Sequence, residues 1–230
     1  MRVENPKNIF VIIPSFNEGA QIQKTVKAVL ACGYSVVVVD DASSDDTASQ
    51  VKGLAVDYLR HKVNLGQGAA LQTGIEFAKR RGAAYFVTFD ADGQHDAADI
   101  AGMIDLLKEK KADVIFGSRF LPGAKTNVTA SRSFVLQLAR YLNYLVSGVL
   151  LSDAHNGLRV FSRKTADSIK LTENKMAHAT EFQVQVAKAK LKYAEHPVSI
   201  HYNAYSKQKG QSNFDAIKIF FEILLYKLFR

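Results

Sequence analysis

Two runs of β-branched residues narrow the folds open to this chain more than any other feature. Ile9-Phe10-Val11-Ile12-Ile13 stops at Pro14, and Val36-Val37-Val38-Val39 stops at Asp40-Asp41. Neither run alternates apolar with polar residues, so each reads as a strand buried on both faces, the pattern of a parallel sheet covered by helices. Between them, Ala20–Cys32 sets Ile22, Val26, Val29 and Leu30 at helical spacing. The alternation continues. Strands are expected over Val56–Arg60, Ala84–Phe89 and Asp113–Gly117, and helices over Asp45–Lys52, Gln67–Arg81 and Ala97–Lys110. The fold class that follows is α/β, a mostly parallel sheet flanked by helices, whose ligands bind beyond the carboxyl ends of the strands.

After Gly117 the rhythm changes. A loop-like stretch with Pro122, Gly123 and Asn127 leads to a helix over Arg132–Leu150 with two distinct sides. Phe134, Leu138, Tyr141, Leu142, Leu145 and Val149 share one side; Arg132, Gln137, Arg140, Asn143, Tyr144 and Ser147 share the other. A second amphipathic helix is expected over Phe214–Arg230. The chain of 230 residues, 47% hydrophobic, suits a single domain around one core. Within it, residues 1–120 would bind the donor, 121–213 the acceptor, and 214–230 an interface. Tyr141–Ser152, free of charge, is shorter than the roughly 20 residues a spanning helix needs, so the chain is expected to lie on a membrane rather than cross it. Its formal charge of +8 favours a polyanionic partner, whether nucleic acid, an anionic membrane surface or a phosphorylated substrate, and charge alone does not choose among them. No signal-peptide pattern opens the chain, so it is expected in the cytoplasm, peripheral to the inner face of the cytoplasmic membrane. Cys32 is the single cysteine, which excludes an internal disulfide; its apolar setting predicts a buried thiol.

The densest chemistry lies in Asp90-Ala91-Asp92-Gly93-Gln94-His95, at the end of a buried strand. Two carboxylates one residue apart offer the hard oxygen ligands that Mg²⁺ or Mn²⁺ shares with substrate phosphates, although Asp92 and Asp96 also suit a helix cap. Asp40 and Asp41 end a second buried strand and reach the same sheet edge. Carboxylates there accept hydrogen bonds from base or ribose, whereas Asp45 and Asp46 read as helix caps. The histidines His95, His155 and His178 read as polar helix-end or core residues, and Asn64, Gly66 and Gly68 as a turn before a helix N-terminus suited to phosphate.

Taken together, Pro14-Ser15-Phe16-Asn17-Glu18, Val39-Asp40-Asp41-Ala42-Ser43, Asn64-Leu65-Gly66-Gln67-Gly68, Asp90-Ala91-Asp92-Gly93-Gln94-His95, Phe116-Gly117-Ser118-Arg119-Phe120 and Asp153-Ala154-His155-Asn156-Gly157-Leu158-Arg159-Val160-Phe161 resemble the family 2 glycosyltransferases. The dolichyl- and polyprenyl-phosphate sugar synthases are the nearest likeness. The resemblance implies a GT-A fold, inversion at the anomeric carbon and a metal at the D-x-D segment. It puts Pro14, Phe16, Glu18, Val38 and Asp40 around the nucleoside with Asp41 beside them, and Asp90, the backbone of Ala91, and Asp92 at the diphosphate. Asp90, Asp92 and Gln94 become the metal ligands, and Arg119 meets phosphate. Near the C-terminus Lys207 keeps a basic charge, while Asn213 stands where the family tends to carry lysine.

The expected activity is transfer of a sugar from a UDP- or GDP-sugar to a polyprenyl phosphate, with Asp92, Arg119 and Asp153 as catalytic residues. The alternative acceptor is a sugar hydroxyl of a cell-envelope glycan, for which Asp153 would serve as base. Nucleic acid is not an expected partner. A nucleotidyltransferase and a silent nucleotide-binding module are the rivals from other classes.

Overall fold

The computed structural model describes residues 6–174 and 177–202, without the side chains of Ser131 and Arg132. The helix expected over Phe214–Arg230, Lys207, Asn213 and the side chain of Arg132 therefore lie outside the described residues. Seven strands form one sheet: β1 (Ile9–Ser15), β2 (Ser35–Asp40), β3 (Asp57–Arg60), β4 (Tyr85–Thr88), β5 (Val114–Ser118), β6 (Arg159–Ser162) and β7 (Tyr193–Pro197). Their order is β3-β2-β1-β4-β6-β5-β7. Only β6 runs against its neighbours. Consequently the carboxyl ends of the other six strands and the start of β6 share one edge. Both β6 and β7 escaped the sequence reading, because four or five residues among loops carry too little periodicity.

Strand β1, paired with β2 on one side and β4 on the other, is buried at every residue. Val11 and Ile13 join Ile22, Val26 and Val29 of α1 (Gly19–Ala31) on one face, while Phe10 and Ile12 join Leu71 and Ile75 on the other. Each such side chain stabilises by roughly 1.5–3 kcal/mol on burial. The second face is covered by α3 (Gln67–Arg80), which approaches β1 so closely that a Cβ at Gly74 would meet Ile12 Cγ2 at 2.3 Å. α4 (Asp99–Glu109) covers the first face beside α1.

Between α1 and α3, α2 spans only Thr47–Val51, shorter than expected. Asp45 binds across to α1 instead, accepting from the Gly19 amide at 3.0 Å and from the Thr47 amide at 3.0 Å. Cys32 corrects a second expectation, being exposed. Helix α1 stops at Ala31, and Gly33, with φ of 83°, turns the chain before the buried stripe reaches Cys32.

Helix α5 (Ala130–Ser147) turns Asn143 and Ser147 inward, while Gln137 and Tyr144 of the expected polar side are exposed and Val149 of the expected apolar side is buried. Phe134, Leu138 and Leu145 are 72%, 56% and 65% exposed, whereas Asn143 is 1% exposed. The buried polar groups are matched by α7 (His178–Lys188): Asn143 Nδ2 donates to Gln183 Oε1 at 2.6 Å, and Thr180 Oγ1 donates to Asn143 Oδ1 at 2.8 Å. Gln183 Nε2 then donates to the carbonyl of Ala154 at 2.8 Å. A short helix α6 (Arg163–Ser168) lies between β6 and α7. Among the described residues no helix is long and apolar enough to cross a membrane.

Losing one member of this network strands its partner in the interior. Asn143→Ala is expected to lower unfolding stability by about 1–3 kcal/mol, and Leu138→Ser by no more than about 0.5 kcal/mol, as at an ordinary surface site. Urea denaturation of both variants checks the contrast, which a buried apolar face would reverse.

Candidate active site

The loops after β1 and β2 lock together through side chains that sequence places in them. The Asn17 amide donates to Ser43 Oγ at 2.9 Å, the Glu18 amide to Thr47 Oγ1 at 2.9 Å, and the Ser44 amide to Asn17 Oδ1 at 2.8 Å. Asn17 adopts φ of 54°, a left-handed conformation that asparagine tolerates. This brace leaves Phe16 exposed beside Pro14 at the end of β1. Asp40 lies fully buried under it, accepting from the Ser43 amide at 2.8 Å and from the Tyr58 hydroxyl at 2.5 Å. Burial and that bond push the Tyr58 hydroxyl up to about 12. Val38 is wholly inside the core with Val26 and Val29. Its side chain serves the sheet rather than the nucleoside contact expected of it.

Asp41 has a structural task. It accepts from the amides of Leu65 and Gly66 at 2.9 and 2.6 Å and bonds His61 Nδ1 at 2.7 Å. Its carboxylate thus holds the turn that opens α3, and His61 passes the brace to Thr73 Oγ1 at 2.9 Å. Nothing in the local sequence pairs His61 with Asp41, twenty residues away, since the contact comes from the parallel pairing of β2 with β3.

Asp90 sits where four elements meet. Gln67 Nε2, at the start of α3, lies 3.1 Å from Asp90 Oδ1, and His95 Nε2 lies 3.1 Å from Oδ2. Gly157, just before β6, admits the carboxylate: a Cβ there would come within 2.2 Å of Asp90 Oδ2. Burial works against ionisation of Asp90, yet the His95 bond and the charges of His95, Arg159 and His178 hold it below the usual carboxylate range. Ala91 is pinned through its carbonyl by Thr25 Oγ1 of α1 at 3.1 Å. Asp92 accepts from the Gln94 amide at 3.0 Å and from the Gln94 carboxamide. Burial and the negative charge of Asp90 push Asp92 above the usual range.

Among the described residues no three His, Cys, Asp or Glu side chains form a metal cluster. The donor set is instead two carboxylates, Asp90 and Asp92, with the Gln94 carboxamide. That set fits a Mg²⁺ or Mn²⁺ ion, which takes one or two carboxylates and completes its shell with water and substrate phosphate. The mutual repulsion of Asp90 and Asp92 is what such an ion relieves. His95, a plain core residue on sequence alone, orients Asp90 and stacks edge-on against Phe89 at 5.4 Å.

Arg119 follows β5 and is clamped. Its Nε donates to Asp153 Oδ2 at 2.5 Å, its backbone amide to the same oxygen at 3.1 Å, and its Nη1 to the Tyr202 hydroxyl at 2.5 Å. Burial opposes the charge of Arg119, but Asp153 and Tyr202 hold its guanidinium above the usual range. Asn156 Nδ2 also reaches Asp153 Oδ2, at 3.3 Å. A carboxylate oxygen with three donors, one of them cationic, is suited to positioning Arg119 more than to taking up a proton. Tyr202 is a residue the sequence did not suggest, because Asn127 fixes it from 75 residues away, donating to its carbonyl at 3.2 Å and accepting from its amide at 2.9 Å.

Crowding Asp90 should therefore disturb the metal site selectively. Gly157→Ala is expected to weaken Mn²⁺ binding by about tenfold or more, as loss of a supporting partner does, with the far-ultraviolet circular dichroism retained. Paramagnetic resonance of free Mn²⁺ during titration measures it.

Comparison with known proteins agrees with this geometry. An uncharacterised protein of Methanocaldococcus jannaschii is 33% identical over 98% of this chain and 94% of its own. The UDP-N-acetylglucosamine–dolichyl-phosphate N-acetylglucosaminyltransferase of Methanococcus voltae is 30% identical over 96% of this chain and 97% of its own. The polyprenol monophosphomannose synthase of Mycolicibacterium smegmatis is 31% identical over 74% and 67%. The crystal structure of glucosyl-3-phosphoglycerate synthase from Mycobacterium tuberculosis, with Mn²⁺, UDP and glucosyl-3-phosphoglycerate, superposes with a TM-score of 0.70 at 17% identity, covering 95% of this chain and 79% of that one. That likeness establishes the GT-A fold. Residues 10–169 match glycosyl transferase family 2, and the chain belongs to that family.

Proposed function

We propose that the protein transfers a sugar from a nucleoside-diphosphate sugar to a polyprenyl phosphate, with inversion at the anomeric carbon. The observation that carries the choice of acceptor is the outward apolar side of α5, whose preceding segment is tied to the Arg119 clamp through Asn127 and Tyr202. Asn127, three residues before α5, bonds both backbone groups of Tyr202, and Tyr202 bonds Arg119. A basic group next to an exposed apolar strip of Phe134, Leu138, Tyr141 and Leu145 suits an acceptor with a phosphate head and a hydrocarbon chain. The names of the Methanococcus and Mycolicibacterium relatives support the same acceptor class.

In this reading Pro14, Phe16, Glu18 and Asp40 border the nucleoside, and the backbone of Ala91 approaches the diphosphate. Asp90, Asp92 and Gln94 would hold Mg²⁺ or Mn²⁺, which when bound neutralises charge on the departing diphosphate. The chain's residues do the rest. Asp153 and Tyr202 aim Arg119 at phosphate, and its planar fork suits that ligand. An acceptor phosphate oxygen attacks the anomeric carbon as the bond from that carbon to the diphosphate oxygen breaks, releasing the nucleoside diphosphate. No proton need move, because a phosphate monoester is already ionised near neutral pH, which agrees with an Asp153 committed to Arg119. Residues 1–120 then serve the donor and 121–213 the acceptor, with Lys207 assigned to the diphosphate and the 214–230 segment to the membrane surface at the cytoplasmic face.

Incubation with radiolabelled UDP- or GDP-sugars, Mn²⁺ and vesicles containing polyprenyl phosphate tests this directly. Label is expected in the organic phase. Label confined to water-soluble oligosaccharide would favour the glycan acceptor, and pyrophosphate release would favour nucleotidyl transfer. Arg119→Lys, which loses the fork, is expected to slow lipid-linked transfer by about 10²-fold, with Mn²⁺ affinity unchanged.

A further inference from the structure

Glu195 lies on β7, the last strand of the sheet, and the mechanism above does not use it. Tyr193, two residues earlier on the same face of the strand, rests edge-on against Phe116 at 6.2 Å. Glu195, opposite Phe116 in the β5–β7 register, is half-buried and, among the described residues, forms no ion pair. Its Oε1 instead takes both donors of Ser152, the backbone amide at 2.7 Å and the hydroxyl at 2.6 Å. A charge drawn partly out of water without a cation weakens the strand that carries it. An apolar residue would serve the sheet better. The side-chain bonds of Glu195 among the described residues both go to the residue before Asp153.

The direction of these bonds follows from counting hydrogens. A carboxylate only accepts, and a serine hydroxyl has one hydrogen to give. Ser152 gives its hydrogen to Glu195, so the 2.6 Å contact between Ser118 Oγ and Ser152 Oγ is a donation from Ser118. Ser118 Oγ in turn accepts from the Phe120 amide at 3.1 Å. The chain from the Phe120 amide through Ser118 and Ser152 to Glu195 thus runs one way, each hydroxyl accepting once and donating once, an arrangement whose bonds polarise one another. Ser118 and Phe120 flank Arg119, and Ser152 precedes Asp153. Both sides of the clamp, in which Asp153 Oδ2 accepts from Arg119 Nε and from its backbone amide, are therefore tied to an anchor on a third element. We propose that Glu195 is a positioning residue: through Ser152 and Ser118 it fixes Asp153 against Arg119, and so sets the direction in which the guanidinium meets phosphate. This rests on the role given to Arg119 above and extends its support to β7.

The test is a double-mutant cycle on transfer from UDP-glucose, UDP-N-acetylglucosamine and GDP-mannose to polyprenyl phosphate in vesicles with Mn²⁺, with circular dichroism to verify folding. Glu195→Leu, which cannot accept a hydrogen bond, is expected to slow transfer by about tenfold or more, since small misplacements of a positioned group carry losses of that order. Glu195→Gln, whose carboxamide oxygen still accepts from Ser152, should stay within about threefold of wild type. In an Arg119→Lys background, where the fork is already gone, Glu195→Leu should slow transfer by less than about twofold more. Ser152→Ala breaks the chain without altering the strand; it should slow transfer alone and not beside Arg119→Lys, and it carries the cycle if Glu195→Leu fails to fold. Full activity in the folded variants, or a Glu195→Gln as slow as Glu195→Leu, overturns the assignment while the transferase reading stands. So does an equal fold-loss in both backgrounds, the mark of a merely structural role. Wild-type protein that transfers none of these sugars to the lipid sinks the transferase reading, and this assignment with it.

Discussion

A carboxylate at the rim of an apolar sheet needs its charge compensated, and the site is arranged around that need at Asp90. Gln67 and His95 take its two oxygens, Gly157 makes room for it, and Arg159 and His178 supply positive charge. Each compensating group arrives on a different element: α3, the loop after β4, the start of β6, and α7. Such convergence is available only because β6 runs antiparallel, so that its first residue, not its last, reaches the edge where the parallel strands end. With Asp90 held ionised, Asp92 one residue on feels its repulsion, and the pair becomes a site that a hard divalent cation would stabilise.

The part of the chain after Gly117 shares the apolar core through Val149, Leu151, Phe161 and Phe182, and buried hydrogen bonds add to that tie. Helix α5 turns Asn143 inward to Thr180 and Gln183 of α7, and Gln183 holds the carbonyl of Ala154 in the loop that carries Asp153 and Gly157. One helix therefore presents an apolar strip outward and fixes the loop that carries Asp153 inward. Every member of the buried chain has a partner, the condition under which polar interiors specify a single arrangement rather than weaken it.

Much of this was legible in the sequence. The uninterrupted β-branched runs of β1 and β2 can satisfy only a two-sided burial, and the alternation with helices fixed a mostly parallel sheet. The Asp90-Ala91-Asp92 segment was readable because carboxylates ending a buried strand are rare without a task. Contacts made by distant residues were not. The clamp of Tyr202 on Arg119 and the brace of His61 on Asp41 depend on strand order, which single-sequence periodicity does not encode. Cys32 and Val38 were misjudged for a local reason: the glycine turn after α1 expels the first, and the strand's depth encloses the second. For α5 spacing separated the sides only in part, since Gln137 and Tyr144 are exposed beside Phe134 and Leu138 while Val149 is buried, and spacing alone does not tell which side faces the core.

The central claim is that Asp90 and Asp92 hold a nucleoside diphosphate through a divalent ion. Calorimetric titration of UDP and GDP into wild-type protein and Asp92→Asn, each with and without Mn²⁺, measures it most directly. The account predicts that Mn²⁺ tightens binding of one nucleotide to the wild type by about tenfold or more, as loss or gain of a metal contact does, and that Asp92→Asn removes this gain without altering metal-free affinity. Equal affinity with and without Mn²⁺, or an Asp92→Asn protein that keeps the full gain, would contradict it.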